Sequence, residues 1–200
     1  MAKARSVTNL DVQAPTAQNA AKIVQVRLAE MYEWSNHIDS PYAVRELHNL
    51  RITAKRLRYT LEIFADFLPA DCKPLGKELE QLQNELGALH DSDVLIALLR
   101  LCLGSQDNPI PDPAMITGQK GKGPKTKVRS FIRPELLSAV LDPSVAPTAQ
   151  ERYGLEQFLR KQEQVRQEQY QAFRQHWYQL QEQEFRRHLL NLIGQELVTA

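Results

Sequence analysis

The strongest constraint on the fold is the arrangement of apolar and basic residues between residues 45 and 68. At about 100° per residue, the apolar side chains of this stretch fall on one continuous helical face. That face comprises Leu47, Leu50, Ala54, Leu57, Leu61, Phe64 and Leu68. The cations beside it at spacings of three and four, called the basic stripe below, are His48, Arg51, Lys55 and Arg58. A cation at the rim of a buried face points into a groove between helices, so the stripe predicts a groove that suits an extended polyanion. Glu62, one turn further on, is expected to orient a neighbouring Arg or Lys.

Apolar residues continue at helical spacing on both sides of this stretch, and no segment carries a strong strand pattern. The first helix is expected to begin near Asn19. Ser40 and Pro41 suit the N-cap and the first position of the second helix, which is expected to end near Leu68. The third helix is expected to begin after Pro74. We therefore predict an all-α fold, an antiparallel helical bundle of the four-helix type with a long C-terminal helix.

The pattern changes at two places further along the chain. Around His90–Ser92 the helical spacing breaks, and Asp91 or Ser92 is expected to cap a fourth helix. Residues 104–149 hold seven of the eleven prolines and four of the eight glycines. They are expected to form a mobile insertion, whose basic run Lys120–Arg129 could add contacts to a polyanion. The predicted organisation is a disordered N-terminus over residues 1–18 and one helical domain over residues 19–200, interrupted by the insertion.

Charge and composition restrict the possible functions. The net charge is only +1, so no global field attracts nucleic acid or an anionic membrane. Anion binding must come from local clustering of cations, and between Arg45 and Arg58 five Lys or Arg residues stand against Glu46 alone. No signal peptide and no apolar run long enough to cross a bilayer is visible. We expect a soluble, cytoplasmic protein without membrane contact, in which Cys72 and Cys102 are free thiols.

Two consecutive predicted helices carry motifs that point to a known family. The second helix contains His48-x-x-Arg51-x-x-x-Lys55-Arg56-Leu57-Arg58-Tyr59-x-Leu61-Glu62. The third contains Leu79-x-x-Leu82-Gln83-x-x-Leu86-Gly87-x-x-His90-Asp91-x-Asp93-Val94. These motifs resemble the CHAD family, whose name stands for conserved histidine α-helical domain. The resemblance is strong over about residues 41–103, and Phe173-x-x-x-Trp177 looks like the closing helix of the family.

The resemblance implies a helical bundle that binds inorganic polyphosphate in a basic channel, and a location at polyphosphate granules. The basic stripe matches the cationic positions of the family, and Lys77 matches a basic residue of the following helix, whereas Glu80 stands where many members carry Lys or Arg. Members typically contain two such bundles, whereas the motif occurs once here, so a homodimer would supply the second wall. The candidate polyphosphate-binding residues are His48, Arg51, Lys55, Arg58, Lys77, Arg45, Arg56 and His90.

Two alternative functions would require residues that non-catalytic binding does not. A phosphatase or phosphotransferase acting on polyphosphate would need a carboxylate metal site or an activated nucleophile, and the sequence suggests neither. His90, Asp91 and Asp93 lack the spacing of metal ligands, so no metal and no cofactor is expected. A nucleic-acid-binding module would interleave exposed aromatic residues with cations, and the stripe is expected to lack them. We therefore predict a non-enzymatic polyphosphate-binding module.

Overall fold

The computed structural model describes residues 2–104 and 147–198. Within these ranges all regular elements are helical, which confirms the prediction of an all-α bundle. The predicted insertion lies outside the described residues from residue 105 to residue 146, and so does the basic run Lys120–Arg129. The helices are α1 (Thr16–Tyr32), α2 (Val44–Ile63), α3 (Cys72–Leu103), α4 (Ala149–Glu182) and α5 (Phe185–Val198), with a short 3-10 helix at Ser35–His37.

The described chain divides into two compact units, and helices α3 and α4 each contribute to both. The larger unit consists of residues 2–88 and 169–198, and the smaller unit of residues 89–104 and 147–168. In the larger unit α1 packs against α2 and α5. Its fully buried side chains include Leu28, Met31, Leu50, Leu57, Leu79, Leu82, Leu86, Phe173, Leu189 and Ile193. Six of the seven residues of the apolar face read from residues 45–68 are buried, and Phe64 is half-buried.

The first residues of the chain contact the larger unit although they form no regular structure. The backbone N–H of Ala2 donates to Asn49 Oδ1 on α2 at 2.9 Å. The backbone N–H of Arg5 donates to the carboxylate of Glu30 on α1. Asn49 and Glu30 are buried polar side chains, and burial of such groups is tolerated when they are hydrogen-bonded. The N-terminal segment thus supplies partners for polar groups on two helices.

The smaller unit pairs the last part of α3 with the first part of α4. Arg166 on α4 forms an ion pair with Asp93, with Nε 2.5 Å from Oδ1. Further along α3, Arg100 pairs with Glu163 at 2.7 Å. At the end of α3, the carbonyl oxygen of Leu103 accepts a hydrogen bond from the side chain of Arg152 at 2.8 Å. Residue numbers rise on α3 as they fall on α4, so the two segments run antiparallel.

The prediction of a break around His90–Ser92 is wrong, because α3 continues without interruption from Cys72 to Leu103. Of the two residues that suggested a cap, Ser92 has a partner on α4 instead, and so does the neighbouring Asp93. Ser92 is buried, and its Oγ accepts a hydrogen bond from Gln162 Nε2 at 2.9 Å. Asp93 holds Arg166. Polar residues inside a helix can therefore serve helix–helix contact rather than helix termination.

Several predicted helix ends are also wrong. Helix α2 begins at Val44 rather than at Pro41, because a turn closed by a 3.0 Å hydrogen bond from Ala43 N–H to Ser40 O precedes it. It ends at Ile63, and turns follow over residues 64–67. Helix α3 begins at Cys72, before Pro74, since the first turn of a helix needs no intrahelical partner for its N–H groups.

The C-terminal region contains two helices where the sequence predicted one long helix. Helices α4 and α5 are separated at residues 183–184. Glu184 has φ of 53°, in the left-handed region, and this conformation ends α4. Phe173 and Trp177, which resemble the closing helix of the family, are both buried on α4.

Candidate anion-binding groove

Helices α2 and α3 run antiparallel in the larger unit, and two contacts fix their register. A Cβ atom on Gly87 would lie 3.7 Å from Arg51 Nε. Arg58 Nη1 lies 3.4 Å from Glu80 Oε1. Moving from Arg51 to Arg58 along α2 thus corresponds to moving from Gly87 back to Glu80 along α3. These residues of the basic stripe therefore face α3 along a groove, called the α2–α3 groove below.

Arg51 lies where α3 carries no side chain. The guanidinium lies so close to α3 that a Cβ on Gly87 would be in ordinary van der Waals contact with it. The Nε atom of Arg51 is buried and has no hydrogen-bond partner among the described residues. A buried donor without a partner costs about 1–3 kcal/mol. An anionic oxygen that reached this N–H would remove that cost.

Lys55 lies one turn after Arg51 on α2, and its charge is also unpaired. No carboxylate among residues 2–104 and 147–198 lies within ion-pairing distance of Lys55 or Arg51. Lys55 Nζ lies 5.3 Å from the centre of the Tyr59 ring, a cation–π contact. The Tyr59 side chain is 41% exposed, so the prediction that the stripe lacks an exposed aromatic residue is wrong at this position.

Arg58 differs from these two cations because carboxylates hold it. Its Nη1 lies 3.2 Å from Glu62 Oε1 and 3.4 Å from Glu80 Oε1. The expectation that Glu62 orients a neighbouring Arg is confirmed. The Arg58 side chain is 13% exposed, whereas the Glu62 and Glu80 side chains are 52% and 55% exposed. The positive charge of Arg58, the last cation of the basic stripe, is thus partly neutralised by two carboxylates of the protein.

A pocket of about 150 Å³ opens beside this bridge, where α2 ends and α3 begins. Its charged lining consists of Glu62, Lys73, Lys77 and Glu80. Lys77 is exposed, and no carboxylate in the described part of the chain pairs with it. The structure therefore places Lys77 in this pocket, next to the bridge formed by Glu62, Arg58 and Glu80.

Arg45 and Arg56 lie on a different side of α2 from the groove. At about 100° per residue, each is displaced by roughly 100–120° from the centre of the basic stripe. The Nη2 of Arg56 donates to the backbone carbonyl of Ala2, and Arg45 is exposed. The structure thus does not bring these two candidates together with the stripe.

The two candidate histidines belong to different units. His48 is half-buried on α2, one turn before Arg51, in the larger unit. His90 is half-buried on α3 in the smaller unit, one turn before Asp93. Burial raises the pKa of Asp93 above its ordinary value, although the hydrogen bond and charge of Arg166 and the charge of His90 act to lower it. His90 thus lies near the buried ion pair of Asp93 and Arg166.

In residues 2–104 and 147–198 no group of three or more His, Cys, Asp or Glu side chains is arranged to hold a metal ion. None of the helices in the described ranges is both long and apolar enough to cross a membrane.

The residues that line the groove lie within a part of the chain that matches a protein family model. Residues 2–100 match the family model described as CHAD domain. This chain carries a CHAD domain. The matched residues include α1, α2 and most of α3, and they contain all eight candidate polyphosphate-binding residues, although not the basic run Lys120–Arg129. The family recognised from the motifs is therefore confirmed. Comparison with curated proteins and with solved structures found no match.

Two features of the groove were not predicted from the sequence of the CHAD domain. Gly87 stands in the family motif, but its position opposite Arg51 depends on the register of α2 against α3. The contact of Glu80 with Arg58 depends on the same register. Arg51 and Arg58 are seven residues apart on α2, and Glu80 and Gly87 are seven residues apart on α3. This equal spacing is visible in the sequence, but it does not show which residue of α2 lies opposite which residue of α3.

Proposed function

We propose that the CHAD domain binds inorganic polyphosphate in the α2–α3 groove and does not catalyse a reaction on it. The observation that carries the proposal is the pair Arg51 and Lys55. These cations lie on successive turns of α2, are half-buried, and have no carboxylate partner among the described residues. Membership of the CHAD family supports a polyphosphate-related role for the same residues.

The chemistry of polyphosphate fits this arrangement. The ligand carries a negative charge on each unit and offers no base to read, so contacts must come from donors and cations. An Arg guanidinium presents paired donors to phosphate oxygens, and a Lys ammonium supplies a compact charge. Four residues along a helix span about 6 Å, so one chain can contact both residues. Much of the affinity should come from release of counterions, which makes binding sensitive to salt.

The test is a titration of long-chain polyphosphate into the wild type and into Arg51→Gln/Lys55→Gln at several ionic strengths. Loss of two charge-assisted contacts should weaken binding by about 100-fold. It should also reduce the slope of log affinity against log salt by about 1.5. The matched control is Arg160→Gln/Lys161→Gln, which removes the same charge from two exposed residues of α4.

The control separates a specific groove from general electrostatic attraction. If the groove is the site, the Arg160/Lys161 variant should bind almost as tightly as the wild type. Equal losses in the two variants would show that net charge alone determines affinity. Absence of binding to the wild type would refute the proposal. Circular dichroism of each variant checks that the helices remain folded.

An enzyme acting on polyphosphate is the main alternative. Incubation of the protein with polyphosphate and Mg²⁺ or Mn²⁺, followed by measurement of released phosphate, distinguishes the two functions. A nucleic-acid-binding module is the second alternative. The observation that favours it is the exposed ring of Tyr59, which contacts both Lys55 and Arg58, since nucleic-acid-binding sites combine exposed aromatic rings with cations. Long-chain polyphosphate and RNA should be compared as competitors at matched charge and salt. Stronger competition by RNA would favour the nucleic-acid-binding function.

The proposal includes a homodimer that supplies a second basic wall, and a cytoplasmic location at polyphosphate granules. Analytical ultracentrifugation with and without polyphosphate measures the oligomeric state. Fluorescence microscopy of a tagged chain in granule-forming cells measures the location. If the Arg51→Gln/Lys55→Gln variant still concentrates at granules, location at granules does not depend on the groove.

A further inference from the structure

We propose that Glu80 is a specificity residue that selectively lowers the affinity of the groove for long polyphosphate chains. This inference rests on the proposed function. It starts from the bridge in which Glu62 and Glu80 both contact Arg58 Nη1. The bridge joins α2 to α3 between the unpaired cations Arg51 and Lys55 and the pocket at the end of α2.

The pocket contains cations that a polyphosphate chain bound at Arg51 and Lys55 can contact only by passing the bridge. Lys73 and Lys77 line the pocket together with the two carboxylates of the bridge. Both lysines are exposed, so an incoming anion can reach them. The distance along α2 from Arg51 to Glu62 is about 16 Å at 1.5 Å per residue. A chain that contacts both Arg51 and the pocket must therefore pass Arg58.

The bridge is built so that a phosphate can replace the carboxylates. Arg58 is 13% exposed and is held in place, whereas the Glu80 side chain is 55% exposed and can turn into solvent. Ion pairs that involve exposed carboxylates contribute little to stability, so their loss on binding costs little. The buried Nε of Arg58 has no hydrogen-bond partner among the described residues, and a displacing phosphate oxygen could satisfy it.

A short ligand and a long ligand should therefore respond differently to Glu80. Tripolyphosphate can contact Arg51 and Lys55 while Arg58 stays paired with Glu80. A long chain that extends from Arg51 and Lys55 gains Arg58, and beyond it Lys77 and Lys73, only after the carboxylate has moved. The bridge thus lowers the affinity for long chains more than for short ones, because only long chains must displace the Glu80 carboxylate to gain their additional contacts.

The test measures binding of tripolyphosphate and of long-chain polyphosphate to the wild type, Glu80→Gln and the control Glu156→Gln. Glu156 is an exposed residue of α4 in the smaller unit, so the control removes the same charge away from the bridge. Glu80→Gln should bind long chains about tenfold more tightly and tripolyphosphate within about twofold of the wild type. Lys77→Gln should weaken long-chain binding only.

Each outcome has a separate meaning. An equal gain for both ligands in Glu80→Gln would show simple repulsion by the carboxylate and would overturn the inference. No gain for long chains, or a gain as large in Glu156→Gln, would also overturn it. In each of these cases the proposed function stands, provided that the wild type binds and Arg51→Gln/Lys55→Gln binds about 100-fold more weakly. A wild type that binds neither ligand would refute both.

Discussion

Gly87 of α3 lies directly opposite Arg51 of α2, so that a Cβ atom there would be 3.7 Å from Arg51 Nε. This distance is an ordinary van der Waals contact, so an alanine fits. Gly87→Ala should raise the free energy of unfolding by about 0.5–1 kcal/mol, because glycine is a poor residue inside a helix. Polyphosphate affinity should change little. Urea denaturation and titration with polyphosphate measure the two quantities.

A larger side chain at position 87 should have the opposite effect on binding. Gly87→Leu would occupy the space beside the guanidinium and move Arg51 away from α3. We expect polyphosphate affinity to fall by about tenfold, the effect of losing one charge-assisted contact. Gly154→Leu is the control, since a Cβ there meets nothing within 4 Å. Unchanged affinity in Gly87→Leu would mean that the position of Arg51 does not matter for binding.

The variant Arg56→Gln tests whether every cation of the motif contributes to polyphosphate binding. The guanidinium of Arg56 donates to the carbonyl of Ala2, on the side of α2 away from the groove. Arg56→Gln should lower the free energy of unfolding by about 1–2 kcal/mol through loss of this charged hydrogen bond. Polyphosphate affinity should change by about twofold at most, because salt screens a distant charge. A loss of polyphosphate affinity as large as that caused by Arg51→Gln would show that Arg56 contributes to binding.

The ion pair of Arg166 with Asp93 joins α4 to α3 next to the position of the wrongly predicted helix break, and variants of the two residues test its contribution to stability. The two side chains are 9% and 11% exposed, and burial already raises the pKa of Asp93 despite Arg166. Arg166→Met should lower the free energy of unfolding by about 3 kcal/mol, because a carboxylate is left buried without its partner. Asp93→Leu/Arg166→Met should recover most of the loss. Additive losses in the double variant would show that the two residues are not coupled.

The periodicity of residues 45–68 predicted the buried face of α2 correctly because one helix face is a local property. Leu50 and Leu57 belong to that face and are fully buried. Helix ends were less predictable, since Ser40 and Pro41 form a turn where a cap was expected. The break expected at Ser92 failed for a different reason. Its partner Gln162 is 70 residues away, and no local pattern contains that information.

The candidate site shows the same division between local and distant information. The alignment of Arg51, Lys55 and Arg58 on one side of α2 follows from their spacing. Whether each charge is unpaired does not follow, since it depends on which residue of α3 lies opposite. Gly87 leaves Arg51 open, and Glu80 pairs with Arg58. The sequence thus predicted the cations of the groove but not the difference between them.

Asp39 provides a test of pH dependence in the larger unit. The hydrogen bond from Tyr178 and then that from Arg174, each 2.7 Å long, lower the pKa of Asp39 below its ordinary value of 3.8. Because the folded protein favours the ionised form, this carboxylate stabilises the fold above pH 3.8, and the contribution is lost as the pH falls through the lowered pKa. Asp39→Asn should therefore be less stable than the wild type at neutral pH.

The difference in free energy of unfolding between Asp39→Asn and the wild type should shrink on acidification and vanish below the folded pKa of Asp39. Tyr178→Phe removes the largest cause of the shift, so it should raise the pKa of Asp39, which NMR titration of the carboxyl group measures directly. Asp66→Asn is the control, since it removes an exposed carboxylate that has no partner among the described residues. A stability difference for Asp39→Asn that stays constant with pH would show that the side chain acts through packing rather than through its charge.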